Sequence, residues 1–197
     1  VFCKVNTEGY TLLHLAAKTP NAEELISFLI KKGFDIDVLD EYGRTPIFQA
    51  VNDNRIENVK KLLTYSPNLS IVDKENDLMF NIACAANSLE CVKLLLDYGV
   101  DIDSKKIGIS PLRDAIYHEA SDELIDTLLN RGANINGVGF SVPLLAAIAL
   151  GDLEIVKYLL QKGADLSKVS KNGEDAITFC KRIQKTEILK YLLSLNK

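Results

Sequence analysis

A ten-residue segment recurs six times along the 197-residue chain at a nearly constant spacing. Its copies begin at glutamates that are 33, 33, 33, 31 and 33 residues apart, namely Glu24, Glu57, Glu90, Glu123, Glu154 and Glu187. Apolar residues recur within each copy at helical spacing, as Val92, Leu95 and Leu96 do in the third copy, and they form one stripe of an amphipathic helix. A period of this length predicts that one small structural element is stacked repeatedly along the chain.

A second recurring element lies upstream of each of these helices. It begins with a turn residue, which is glycine in four copies, and continues with Thr or Ser in three copies and with proline in three: Gly9, Gly43, Gly108 and Gly173, and Pro46, Pro111 and Pro143. Proline is tolerated at the first position of a helix because the amide there has no intrahelical partner. Four of the second helices are followed by glycines that fit a left-handed helix end, at Gly33, Gly99, Gly132 and Gly163. Each repeat is therefore predicted to be a turn followed by two short helices.

The sequence resembles the ankyrin repeat family, whose repeat is a turn and two helices with a T-P-L-H-x-A signature. The nearest matches to the signature are TLLHLAA from Thr11 and TPIFQAV from Thr45, and the Gly-Ala-Asp/Asn ending of the family occurs at Gly132 and Gly163. The resemblance covers residues 6–197 and implies an all-α ankyrin repeat solenoid of five repeats and a divergent, capping sixth. The implied repeats span about 6–39, 40–72, 73–104, 105–136, 137–169 and 170–197, in a single array over 1–197.

The first repeat lacks the polar outer face of a capping repeat. Both of its helices are rich in apolar residues, including Leu12, Leu25 and Phe28, whereas the first helix of the sixth repeat is largely polar. Terminal repeats need a polar outer face for solubility. We therefore expect the array to be truncated at its N-terminus, with a capping segment or further repeats upstream of Val1.

Departures from the signature occur at three positions of the repeat and have physical consequences. The resemblance implies that the signature histidine ties down the turn and the helix start, and it survives only as His14. Asn76 replaces the turn glycine of the third repeat, and asparagine tolerates a positive φ. Phe140 occupies the same place in the fifth repeat and tolerates a positive φ poorly, so Gly137 or Gly139 is expected to make that turn.

Charge, hydropathy and cysteine spacing exclude several classes of protein. The net charge of −4 and the sequence pI of about 5.3 provide no basic field that would attract nucleic acid. The longest apolar run, 142–150, is far shorter than the ~20 residues of a membrane-spanning helix. The cysteines have no paired spacing and are expected to be reduced thiols of a cytoplasmic protein: Cys3, Cys84, Cys91 and Cys180.

Residues that support catalysis or metal binding are scarce in the sequence. The only histidines are His14 and His118, and the chain has no phosphate-binding glycine loop, HExxH pair or nucleophile elbow. A lone histidine without a positioned partner is neither a metal site nor a proton relay. The recurring glutamates fit the first turn of each second helix, where a carboxylate complements the helix dipole. We therefore expect no enzymatic activity, no cofactor and no metal.

The resemblance implies that the functional surface is a concave groove lined by the turn tips and by the exposed ends of the first helices. Aromatic residues and arginine at such positions are the types that protein interfaces favour. For Ile107, Ile109 and Val138, packing on one another along the turns is an equally good interpretation. The groove residues implied for this chain are Glu8, Tyr10, Glu41, Tyr42, Arg44, Asn52, Asp53, Lys74, Asp77, Ile107, Ile109, Tyr117, His118, Val138 and Leu150.

Three functions from different classes are compatible with this sequence. The leading hypothesis is a monomeric, non-catalytic scaffold that binds a protein partner through the groove. A narrower alternative is an inhibitor, for instance an immunity protein that blocks a toxin or enzyme, since an acidic groove suits a basic partner. The third is a ligand-binding protein or an enzyme, which requires a concave site with converging polar groups that the sequence does not reveal.

Overall fold

The computed structural model describes residues 6–104 and 108–195, and within them it contains twelve short α-helices and isolated β-bridges in place of strands. The chain divides into two compact units, one ending at Val100 and the other beginning at Asp101. Each unit holds three helix pairs, so the predicted all-α repeat solenoid is confirmed. Two residues named in the sequence predictions, Cys3 and Ile107, lie outside the described residues.

In the N-terminal unit the first helices of the repeats pack side by side, and the second helices form a neighbouring row. The first helices are α1 (Leu12–Lys18), α3 (Pro46–Asn52) and α5 (Met79–Ala85). The second helices are α2 (Glu23–Lys31), α4 (Ile56–Leu63) and α6 (Leu89–Asp97). Buried alanines on the first helices, Ala16, Ala50 and Ala83, allow this close approach because their side chains are small.

The C-terminal unit repeats this arrangement. Its first helices are α7 (Pro111–Tyr117), α9 (Pro143–Leu150) and α11 (Ala176–Arg182), and α9 packs against both of the others. Its second helices are α8 (Asp122–Asn130), α10 (Leu153–Gln161) and α12 (Thr186–Ser194). In this second row α10 packs on α12, whereas α8 and α10 approach each other less closely than α2 and α4 do.

The helix boundaries fall where local chemistry predicts them. Thr45 and Ser110 cap α3 and α7 by accepting hydrogen bonds from the amides of Phe48 and Arg113, at 3.3 and 3.4 Å. The prolines of three first helices lie in the first turn, and the recurring glutamates lie in the first turn of the second helices. The predicted left-handed helix ends are confirmed, with φ between 89° and 95° at Gly33, Gly99, Gly132 and Gly163.

The departures from the signature also behave as predicted. Asn76 has a φ of 68°, and the turn of the fifth repeat is made by Gly137 and Gly139, at 73° and 56°, while Phe140 keeps a negative φ. A Cβ atom on Gly137 would lie 1.8 Å from the Ser141 carbonyl oxygen, so this turn requires glycine.

A left-handed residue also occurs between the two helices of every repeat, and the sequence analysis did not predict it. These residues have φ values from 52° to 89° and are Asn21, Asn54, Asn87, Glu119, Gly151 and Gln184. Asparagine and glycine adopt this conformation at low cost, which explains four of the six positions.

The described cysteines are packing residues, as predicted. Cys84, Cys91 and Cys180 form no disulfide and are fully buried, with Cys84 on α5 and Cys91 on α6. Burial raises the pKa of the Cys91 and Cys180 thiols to about 11, so both remain protonated at neutral pH. Among the helices that the structure describes, none has the length and apolar character needed to cross a membrane.

Candidate protein-binding surface

Two buried aspartates close the turns of the N-terminal unit. One carboxylate oxygen of Asp40 accepts hydrogen bonds from the amides of Tyr42 and Arg44, at 2.8 and 2.9 Å. Asp73 does the same for the amides of Glu75 and Asp77, at 3.0 and 2.9 Å. Because these two side chains accept hydrogen bonds from the turn amides, the turn backbone is held chiefly by buried groups.

Successive turns of this unit are joined through their main chains. The Glu41 amide donates to the Glu8 carbonyl at 2.9 Å, and the Lys74 amide donates to the Tyr42 carbonyl at 2.8 Å. A Cβ atom on Gly9 would lie 2.8 to 2.9 Å from atoms of Glu41, so the glycine permits this approach. The bonds fix the turn tips of the first three repeats as one continuous row.

Arg44 lies across this row. Its Nε donates to the second carboxylate oxygen of Asp73 at 2.9 Å, and its terminal nitrogen is 3.9 Å from a Glu75 oxygen. The guanidinium is also 5.5 Å from the centre of the Tyr42 ring and 5.3 Å from that of Phe48. Burial disfavours its charge, but the hydrogen bond and charges of the acidic neighbours raise the pKa of Arg44 overall. The side chain is therefore charged and held in one place.

His14 has the tethering role that the resemblance implied. Its Nδ1 accepts from the Thr11 amide at 3.2 Å, and its Nε2 lies 2.9 Å from the carbonyl of Arg44 in the next repeat. Burial lowers the pKa of His14, which keeps the ring neutral at pH 7 and its Nε2 a donor. The histidine thus connects the first helix start to the second turn.

The expectation that Tyr10 lines an open groove is wrong. Its ring stacks on His14 with centroids 5.6 Å apart, and only 6% of the residue is exposed. The Lys18 ammonium covers the ring at 5.1 Å. Tyr10 is therefore a packing residue of the first repeat.

The ends of the first helices carry a second polar cluster in this unit. The ammonium of Lys18, at the end of α1, is 3.9 Å from the carboxylate of Asp53, which follows α3. The side-chain amide of Asn52 donates a hydrogen bond to the same carboxylate at 3.1 Å. These residues and the turn tips form what we call the N-terminal turn-side surface. Its members, exposed or half-buried, are Glu8, Glu41, Tyr42, Arg44, Asn52, Asp53, Lys74 and Asp77.

In the C-terminal unit an aromatic cluster lies at the end of α7. Tyr117 is 46% exposed, meets the His118 ring edge to face at 5.3 Å, and has the Arg113 guanidinium 4.6 Å from its ring centre. The Arg113 side chain is fixed by Asp114 at 2.9 Å. An exposed tyrosine beside an arginine therefore occurs in both units.

For Val138 the sequence left two interpretations open, an exposed groove position or packing along the turns, and the structure agrees with packing. The residue is 7% exposed and is bridged to Ser141 in the tight turn that Gly137 begins. Ile109 and Leu150 are half-buried. With the cluster at α7 they form the C-terminal turn-side surface, whose members are Ile109, Arg113, Tyr117, His118, Phe140 and Leu150.

Sequence reasoning missed two kinds of residue. The turn-closing side chains were overlooked, although each stands three positions before a turn residue; Asn6 and Ser170 accept turn hydrogen bonds as Asp40 and Asp73 do. Phe140 was treated only as a defect of the turn, yet it is 61% exposed. An aromatic residue in place of a turn glycine is the signal that identifies it.

Within residues 6–104 and 108–195, no group of three or more His, Cys, Asp and Glu side chains is placed to hold a metal ion. On the two surfaces Arg44, Arg113 and Asp53 are held by neighbouring charged side chains. Each surface carries fixed charges and at least one exposed aromatic ring, and protein-recognition surfaces have this composition.

These features define a class of repeat proteins that present a binding surface on stacked helix pairs, and comparisons with known proteins name the family. Models of ankyrin repeats match residues 2–73, 59–138 and 144–193. The chain belongs to the ankyrin repeat family.

Solved ankyrin domains share this fold along most of the chain. The ankyrin repeat domain of Bcl-3, described as a unique member of the IkappaB protein family, is 26% identical, with a TM-score of 0.81 over 95% of this chain and 86% of that one. An ankyrin repeat domain from Acinetobacter baumannii is 28% identical, with a TM-score of 0.78 over 93% and 96% of the two chains.

Among curated sequences, the mouse (Mus musculus) B-cell lymphoma 3 protein homolog is 28% identical over 185 residues. The match covers 88% of this chain and 41% of the mouse protein. The chain spans less than half the length of the curated relatives it matches.

Proposed function

We propose that this chain is a non-catalytic scaffold that binds a protein partner through its turn-side surfaces. Ankyrin repeats support a protein–protein interaction module, and the proposal goes further by naming the surface. It depends chiefly on the exposed tyrosine that stands beside an arginine in each unit, Tyr42 with Arg44 and Tyr117 with Arg113. Tyrosine and arginine are the residue types enriched among binding hot spots.

The two pairs are suited to binding because they are ordered before a partner arrives. Arg44 is fixed by Asp73 and Arg113 by Asp114, so little side-chain entropy is left to lose on association. Tyr42 and Tyr117 are 43% and 46% exposed, so both rings offer apolar area to a partner.

The test uses the full chain as bait in native lysate, with captured proteins identified by mass spectrometry. The variant Y42A/Y117A/F140A removes the exposed rings and leaves Arg44 in place, because Arg44 also holds Asp73. Truncating a hot spot costs about 2 kcal/mol or more, roughly thirtyfold in affinity, so the variant should lose the partner while its melting temperature changes little.

The matched control is F28A/L193A, which removes exposed apolar side chains from α2 and α12 instead. The control should bind like the parent chain. A triple variant that retains the partner at the parental affinity while the control loses it would show that the interface lies on the second helices.

We also propose that the chain is monomeric and lies in the cytoplasm. The buried side chains of Cys84, Cys91 and Cys180, which form no disulfide, support the location, since disulfides are rare in that compartment. Sedimentation equilibrium of the purified chain tests the monomer, and immunofluorescence tests the location.

A further inference from the structure

An open groove of about 390 Å³ lies between the second helices α8 and α10 of the C-terminal unit. Ile125, Ile155 and the ring of Tyr158 contribute its apolar lining. The groove exists because α8 and α10 are less closely packed than the corresponding helices of the N-terminal unit.

The exposure of Ile155 shows that this position is incompletely covered. The residue that follows the recurring glutamate is buried in four other second helices, with at most 2% exposed at Asn58, Cys91, Leu124 and Ile188, whereas Leu25 in the first repeat is 48% exposed. Ile155 holds the same position in α10 and is only half-buried. A side chain that the stacking of repeats buries elsewhere is here available to another molecule.

The walls of the groove are acidic. Asp122, Asp126 and Glu154 line it, and an adjoining hollow that shares Asp122, Glu154 and Ile155 adds Glu119 and Asp152. Lys157 is the one lysine in either lining, and its ammonium is 2.8 Å from Glu154. Among the described residues, Asp122 forms no salt bridge. The groove therefore has an excess of negative charge.

The pKa of Tyr158 reflects the negative charge of the groove. The hydroxyl donates a hydrogen bond to Asp126, and burial, that bond and the charges of Asp126 and Asp122 raise the pKa of Tyr158 to about 12. The charges of two carboxylates and the burial of the hydroxyl thus all disfavour the ionised form of Tyr158.

We infer that the groove between α8 and α10 binds a basic, amphipathic segment of a protein partner, with arginine or lysine side chains opposite Asp122 and Asp126 and an apolar side chain against Ile155. Charge complementarity selects such a segment, and the apolar lining adds affinity that a simple cation cannot gain. A bound metal is not the occupant, since the described residues offer no cluster able to hold one. The inference rests on the proposed function in one respect, that the chain binds proteins.

The probe is a fluorescein-labelled 14-residue peptide with arginines on one helical face and leucines on the other. The variant D122N/D126N/E154Q keeps the shape of the groove and removes three charges. It should weaken peptide binding roughly tenfold, since each lost pair contributes a modest amount, and it should reduce the salt dependence of binding. Melting curves followed by circular dichroism check that the variant folds.

The matched control, E24Q/D101N/E187Q, removes the same charge from exposed positions outside the groove. Its affinity for the peptide should stay within about twofold of the parent value. Equal weakening in both variants would overturn the inference, because binding would then follow net charge alone.

Amide chemical shifts provide a second measurement that needs no variant. The peptide should shift resonances of 122–126 and 153–161, and shifts confined to other surfaces would overturn the inference.

The variant Y42A/Y117A/F140A should still bind the peptide. Loss of the natural partner by that variant together with intact peptide binding supports both proposals, whereas retention of the partner overturns the turn-side proposal alone.

Discussion

The side chain of Arg44 belongs to a candidate binding surface and at the same time supports the fold. The Asp73 side chain has no exposed area, and Arg44 supplies its only cationic partner among the described salt bridges. A buried carboxylate left without its partner is strongly destabilising, although here two turn amides still hold Asp73. An effect on stability must therefore be separated from an effect on binding at this residue.

We predict that Arg44→Met lowers the free energy of unfolding by about 2 kcal/mol, because the change leaves the charge of Asp73 buried and partly unpaired. Urea denaturation measures it. The control is Arg182→Met: Arg182 pairs with Glu174 at 2.5 Å but its side chain is 55% exposed, so the loss of stability should be much smaller than for Arg44→Met. Equal losses in the two variants would contradict the role assigned to burial.

Asp103 leads to a prediction about pH. Its Oδ2 accepts from the Asn134 amide at 2.7 Å, but its buried Oδ1 has no hydrogen-bond partner within the described chain. Burial raises the pKa of this carboxyl, against the lowering effect of the Asn134 amide. Because the pKa of Asp103 is higher in the folded than in the unfolded chain, ionising this carboxyl costs stability, and the cost develops as the pH rises through the folded pKa.

Asp103→Asn should therefore stabilise the fold at pH 7, by less than about 1 kcal/mol, because the amide keeps an acceptor and carries no charge. The gain should disappear as the pH falls below the ordinary aspartate pKa, where Asp103 itself is neutral. Denaturation at pH 7 and pH 3 measures both limits, with the exposed Glu24→Gln in the first repeat as control. A gain that is independent of pH would exclude the buried charge as its cause.

At the scale of the element, the link between the two helices of a repeat depends on one left-handed residue. Asparagine serves at Asn21, Asn54 and Asn87, but a glutamate takes the same conformation at Glu119, with a φ of 55°. A side chain with a Cβ is strained there by roughly 1 kcal/mol, and glutamate has no short polar group to relieve it.

Replacing Glu119 with glycine should raise stability by about 0.5 kcal/mol, since the relief of strain exceeds the added entropy of the unfolded chain. Thermal and urea denaturation detect the difference. Asn87→Gly is the paired control and should change stability by less, because asparagine already tolerates the conformation. A destabilised Glu119→Gly variant would mean that contacts of the glutamate side chain outweigh the backbone strain at this position.

The periodic elements were predictable from sequence, and the side-chain contacts across them were not. Helix starts at Pro46 and Pro111 and the shifted turn at Gly137 follow from local backbone chemistry. The burial of Tyr10 depends on a stacking contact with His14 that the repeat period does not encode. The groove beside Ile155 depends on the separation of two helices, which hydrophobic spacing leaves undetermined.

At the scale of the whole molecule, the first repeat presents an apolar face. Leu12, Leu25 and Phe28 are 47%, 48% and 54% exposed. The positions equivalent to Leu12 in the next two repeats, Pro46 and Met79, are buried. We propose that this face is where a capping segment or a further repeat stacks, as the apolar character of both helices led us to expect.

Stability in a repeat array is approximately a sum of repeat and nearest-neighbour terms, so a repeat with an uncovered face should open first. We predict that amides of α2 exchange with solvent faster than those of α4, which packs on helices of both neighbouring repeats. Native-state hydrogen exchange measures this order. Exchange that is slowest in residues 11–30 would contradict it.

The buried turn-closing side chains have a consequence for how sequences of this kind diversify. Since Asp40, Asp73 and the carbonyls of neighbouring turns accept the turn hydrogen bonds, the backbone at residues 41, 42, 74 and 75 is held chiefly through its amides. Substitutions at these four sites alter recognition while the backbone beneath them persists. A combinatorial library confined to them should consequently retain a folded majority, and new specificities can be selected from it without compensating changes in the core.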